Sequence, residues 1–246
     1  MSGFRFLIVA SVVLLAALHP HASARASAGL HAASGALEPD AAEGNPLLGE
    51  GIGEMTPEEV RGILAGGVDV EDRDENGLTA LMRAAAFNSD PDVLRVLLDE
   101  GANFKAKGKH GWTVLMSAAK HNSNPEVLRV LLDAGADIQA RDENGRTALM
   151  SAAKFNSNPD VLRVLLNAGA DVEARNEEGG TPLMLAAQFN GSPDVLRVLL
   201  DAGADVGARN KGGGTALMVA TALNSNPEIV RGLLDAGAEG EEKVKG

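Results

Sequence analysis

The run Asp72-Arg73-Asp74-Glu75-Asn76-Gly77 has the acidic spacing and the glycine with which a calcium-binding loop begins. Such a loop completes its oxygen shell with a bidentate Glu at the twelfth position. The twelfth position here is Arg83, a cation, so the run reads as a hairpin turn. Beyond residue 24 the histidines are His31, His110 and His121, too scattered for a triad or a zinc-helix motif. Gly49-Glu50-Gly51-Ile52-Gly53 lacks the preceding strand and following spacing of a phosphate loop. No catalytic residue, cofactor or metal is expected.

The chemistry these side chains support is recognition. Lys105, Lys107, Lys109, His110, Trp112, Lys120, His121, Arg146 and Lys154 are expected to gather on one face of a chain whose net charge is −12. The single Trp lies among them, and Leu78 holds the equivalent position one unit earlier. A large aromatic within a polar rim is the composition of a binding hot spot. The expected binding residues are Leu78, Lys109, His110, Trp112, Lys120, His121, Arg146 and Lys154, centred on Trp112 and facing an acidic protein surface. The competing reading has Trp112 packing on adjacent lysine stems. Arg95, Arg129 and Arg197 each have acids three residues before and four after. These read as exposed ion pairs worth a few tenths of a kcal/mol.

The elements that position these residues repeat. Gly77, Gly111, Gly145, Gly179 and Gly213 are spaced by 34 residues, as are Pro91, Pro125, Pro159, Pro193 and Pro227. Self-similarity at this period implies stacked supersecondary units. Within residues 143–176, Asp142 and Gly145 supply turn chemistry. Thr147 opens a short helix, Ala148 to about Phe155, thinned by Ala152 and Ala153. Asn156, at its end, is expected to take a left-handed backbone. Asn158-Pro159 starts a second helix, with Asn as cap and Pro at the first position. Val161, Leu162, Val164, Leu165 and Leu166 form its apolar face, and Gly169 stops it. The recurrence of Phe87, Phe155 and Phe189 at one register favours packing beneath the inter-helix loop over contact with a partner.

The segments outside the repeats have other compositions. Arg5, the apolar run Phe6–Leu18 and Ala22-Ser23-Ala24 read as an export signal over residues 1–24. Residues 25–54 read as a flexible linker. Residues 55–74 form an N-terminal capping half-repeat, in which Thr56-Pro57-Glu58-Glu59 opens a lone outer helix. Repeats follow at 75–108, 109–142, 143–176, 177–210 and 211–240, the last serving as C-terminal cap before a polar tail, 241–246. No cysteine is present, which excludes disulfides and thiolate metal sites. The acidic balance argues against nucleic acid, and no stable membrane insertion is expected once the signal is cleaved.

The pattern Gly145-x-Thr147-Ala148-Leu149-Met150-x-Ala152-Ala153, then Val161-Leu162-x-x-Leu165-Leu166, then Ala168-Gly169-Ala170-Asp171-Val172, resembles the ankyrin repeat. Met82, Met116, Met150, Met184 and Met218 stand where that family usually has His, and an extra residue falls in the inter-helix loop. The near-identical repeats and this Met variant resemble bacterial ankyrin sequences. The resemblance implies an all-α repeat solenoid, a stack of helix-turn-helix units joined by short β-hairpin loops. It also implies partners that dock on hairpin tips and inner-helix faces. The expected function is a monomeric, non-catalytic protein-binding module exported to the periplasm or secreted. It would serve as scaffold, inhibitor or immunity protein, or chaperone-like partner. The alternatives are a secreted effector acting on a host protein, and an enzyme or small-ligand binder whose site the sequence does not reveal.

Overall fold

The computed structural model describes residues 44–245, with side chains through residue 237. The expected signal, and the linker up to residue 43, lie outside the described residues. Eleven α-helices follow: α1 (Pro57–Ala65), α2 (Ala80–Phe87), α3 (Pro91–Asp99), α4 (Val114–His121), α5 (Pro125–Asp133), α6 (Ala148–Phe155), α7 (Pro159–Asn167), α8 (Pro182–Phe189), α9 (Pro193–Asp201), α10 (Ala216–Leu223) and α11 (Pro227–Lys245). The even-numbered helices from α2 to α10 stack in one inner layer, and the odd-numbered helices in an outer one.

Local chemistry sets the helix boundaries. Each inner helix is capped by a Thr hydroxyl accepting an N–H three residues on, as Thr147 does from Met150 at 3.3 Å. Asn124 and Asn158 cap α5 and α7, and Pro fills the first position of every outer helix. The paired alanines Ala84/Ala85, Ala118/Ala119 and Ala152/Ala153 are fully buried. Their small side chains let inner helices approach closely. The Met column supplies the bulk between layers, with Met82, Met116, Met150 and Met184 buried. At the end of the stack Met218 is 53 % exposed, since no further inner helix covers it.

Several expectations are corrected. The described end of the expected linker is ordered: Asn45 caps a turn well before the capping half-repeat starts at residue 55. Residues 46–48 and 50–54 form 3-10 turns whose Leu47 and Ile52 are fully buried. They pack against α2 and take the inner place that the capping half-repeat lacks in sequence. The asparagine column is not left-handed: Asn88 has φ −92 and ψ 123. It is buried, and its amide donates to the carbonyls of Ile52 and Met55, both at 2.8 Å. The β-hairpins reduce to isolated bridges, Arg73 with Thr79 and Lys107 with Thr113, and there is no strand among the described residues. Backbone bonds chain the hairpin tips instead, such as Glu143 N–H to His110 O at 2.9 Å. Arg95, Arg129 and Arg197 pair only with the acid three residues before them and not with the one four after, as Arg163 does with Asp160 at 2.6 Å. Helix α11 runs to Lys245, through the segment expected as a polar tail. Internal outer helices stop before glycines such as Gly203 (φ 90), where the next hairpin begins, whereas no Asp-x-x-Gly turn follows Gly237.

Candidate functional site

The calcium-like run closes on itself. Asp74 Oδ1 accepts the N–H groups of Asn76 and Leu78 at 2.8 and 2.9 Å, while Oδ2 pairs with Arg83 at 3.0 Å. Burial raises the affinity of this carboxyl for its proton, but the Leu78 N–H, Arg83 and the Asn76 N–H outweigh it and lower the pKa. Asp142 is built alike: its buried carboxylate takes the N–H groups of Asn144 and Arg146 and pairs with Arg146 Nε at 2.7 Å.

The second repeat departs from that scheme because Gly108 replaces the turn aspartate. Lys109–Gly111 forms a 3-10 turn with His110 in the left-handed region, φ 60 and ψ 23. His110 Nδ1 lies 3.0 Å from Glu143 Oε2, both side chains being exposed. A Cβ at position 108 would meet Leu78 Cδ2 at 2.9 Å. Leu78 therefore packs half-buried over Gly108 and seals two hairpins together.

Trp112 is half-buried at the root of this tip. Its Nε1–H donates to Ser117 Oγ at 2.9 Å, and Ser117 is buried. The Lys120 ammonium and the Arg146 guanidinium each lie 5.8 Å from the indole. The competing reading of Trp112, packing on neighbouring cations, is thus part of its environment, and the ring still reaches solvent.

The phenylalanine column lies on this same face. Phe87, Phe155 and Phe189 are 51, 49 and 50 % exposed, so they do not pack beneath the inter-helix loop. The following residue in each unit, Asn88, Asn156 or Asn190, takes the inward place. Lys154 Nζ lies 4.0 Å from the Phe189 ring centre and 4.9 Å from that of Phe155. Lys120 Nζ also lies 4.9 Å from the centre of the Phe155 ring. His121 stands 5.5 Å from the Phe87 ring. Burial, then Arg146 and Lys120, push the Lys154 ammonium below the usual lysine range, against the pull of Glu178.

Trp112, Lys120, Arg146 and Lys154 are brought together, with His121 beside Phe87. Lys109 and His110 stand exposed at the tip, while Lys105 and Lys107 border a separate crevice lined by neither Trp112 nor Lys120. Among the described residues no lysine forms an ion pair; every pair uses Arg or His. Ser117 and the Phe column were not among the expected binding residues. The signal for Ser117 is its place five residues after Trp112; the third repeat also carries a serine there, Ser151, while the others carry Arg83, Leu185 and Val219.

Among the described residues no helix is long and apolar enough to cross a membrane. The family model for ankyrin repeats (3 copies) matches residues 55–142, 110–176 and 149–244. No curated protein matches the chain. Ankyrin repeats are generally protein–protein interaction modules, and with its inner and outer helical layers, tip-to-tip hairpins and this match, the chain belongs to the ankyrin-repeat family.

Proposed function

We propose that this chain is a non-catalytic protein-binding module, acting outside the cytoplasm, that holds an acidic segment of a partner protein across Trp112, Lys120, Arg146, Lys154 and the phenylalanine column. The observation that carries the reading is the pairing of half-exposed Phe155 and Phe189 rings with Lys120 and Lys154, which form no ion pair among the described residues. Aromatic anchors amid unsatisfied cations favour a partner offering both apolar side chains and carboxylates. Burial first, and then Arg146 and Lys120, lower the Lys154 pKa, and a partner carboxylate would relieve the crowding of these cations. Export rests on residues 1–24, with their apolar run and small-x-small site. A scaffold, an inhibitor or a chaperone-like partner would each use such a face.

The test is affinity capture from the exported fraction, followed by titration of the captured partner against variants. Trp112→Ala and the double change Lys120→Glu with Lys154→Glu are expected to weaken binding about tenfold or more. A Trp112→Ala protein with an unchanged circular dichroism spectrum and full affinity would remove the reading. Fractionation with and without residues 1–24 tests export separately.

A further inference from the structure

Three of the four junctions between successive hairpins carry two side-chain clips. Between the first and second hairpins, Glu71 Oε1 accepts the Asn103 N–H at 2.7 Å, and Arg73 Nη1 donates to the carbonyls of Gly77 and Lys107 at 2.9 and 2.8 Å. Between the fourth and fifth, Glu173 accepts the Asp205 N–H at 2.8 Å, and Arg175 donates to Gly179 and Arg209 at 3.2 and 2.7 Å. Between the third and fourth, Gln139 and Arg141 hold the carbonyls of Gly169 and Arg175 at 2.8 and 2.7 Å.

The junction between the second and third hairpins has neither clip. Lys105 stands in the Glu/Gln column and Lys107 in the Arg column. A lysine ammonium donates only and cannot accept an N–H. The Asp137 N–H, counterpart of those of Asn103 and Asp205, makes no hydrogen bond among the described residues; nor does that of Asp171, where Gln139 donates to Gly169 instead, but only at Asp137 do two lysines stand beside the open N–H. This junction also holds a crevice of about 540 Å³, walled by Phe104, Lys105 and Lys107 on one hairpin and by Gly135, Asp137 and Arg141 on the next.

We propose that this crevice binds a carboxylate. The ligand's oxygen takes the Asp137 N–H as Glu71 and Glu173 take theirs, Lys105 and Lys107 neutralise it, and its short apolar stem lies against Phe104. Charge-assisted bonds of this kind are the stronger class. Asp137 itself does not oppose the ligand. Its Oδ1 is engaged by the Gln139 N–H at 2.9 Å. Asp205, engaged alike by Gly207 at 2.8 Å, already tolerates the Glu173 carboxylate at its own N–H. Arg141 adds charge, while its guanidinium is held by the Gly145 and Arg175 carbonyls. The carboxylate comes from a glutamate side chain of a bound peptide or from a free small acid. The site is independent of the Trp112 face, whose aromatics do not line it.

Amide NMR of the whole chain tests this, with butyrate and N-acetylglutamate amide as probes and chloride at equal ionic strength as control. The Asp137 N–H is expected to move downfield and saturate, with Kd of about 1 mM. Lys105→Ala is expected to weaken binding about tenfold. Lys105→Glu recreates the Glu71 and Glu173 clip, so its Asp137 N–H is expected downfield without ligand and unresponsive to either probe. Tighter binding of the glutamate probe assigns a peptide side chain, and equal binding assigns a free acid; both uphold the site. No saturable shift at Asp137, or an equal shift in Lys105→Glu, overturns it.

Discussion

Asn122 Nδ2 donates to the carbonyl of Asn88 at 2.8 Å and to that of Ala85 at 3.0 Å, joining each inter-helix loop to the unit before it. Its Oδ1 accepts the Asn124 N–H at 2.9 Å. Asn156 and Asn190 repeat the pattern, so a buried amide ladder runs parallel to the helical layers. The Asn124 and Asn158 side chains add a second rail, to the Ser89 and Ser123 carbonyls at 2.7 Å.

Removing one rung strands two buried carbonyls and one N–H. Asn122→Ala is expected to cost about 2–4 kcal/mol, and Asn122→Asp, which cannot donate, at least as much. Half-buried Asn224, at the end of the ladder, is expected to cost less. Urea titrations give the midpoints. Equal losses at Asn122 and Asn224 would contradict the ladder's role.

The methionine column separates burial from local sequence. Met150 and Met218 sit in identical Thr-Ala-Leu-Met contexts but are 1 and 53 % exposed. Met150→Ala is expected to cost about 2–4 kcal/mol through lost contacts and a cavity, and Met218→Ala less than about 0.5 kcal/mol. Thermal unfolding of the two variants side by side makes the comparison.

His110 holds a left-handed backbone that only glycine adopts freely. His110→Gly is expected to gain about 0.5–1 kcal/mol of stability, because the lost contact with Glu143 joins two exposed side chains. Chemical denaturation measures it. A loss of stability would show that the Glu143 contact outweighs the strain.

Two titrations give pH slopes of the same sign. Burial, then Lys120, lower the His121 pKa from an ordinary value of about 6.5. The unfolded chain therefore binds the proton more readily, so this contribution is whole above about 6.5 and is lost as pH falls toward the folded value. The lowered Asp74 carboxyl acts further down: its contribution holds above about 3.9 and is lost as pH falls through the folded value. Stability against pH is expected to lose the first slope in His121→Gln and the second in Asp74→Asn.

Period, caps and the limits of the internal helices were legible from residue spacing, because each depends on contacts within a few residues. Thr147 and Asn158 cap their helices wherever the stack places them, and the apolar stripe of α7 implies burial against something. Which inward position each loop residue takes was decided only by stacking. Asn88 and Phe87 are neighbours in sequence, yet one is buried beneath the preceding unit and the other faces solvent. Trp112 finds Ser117 because a small residue opens the inner helix there. Leu47 and Ile52, in a glycine-rich segment without a period, fold because α2 presents an uncovered apolar side to them. Sequence spacing thus specified a unit whose bonds are local. Contacts between units, which join residues 34–37 positions apart, arose only when layers came together and each buried polar group had to find its partner in the copy before it.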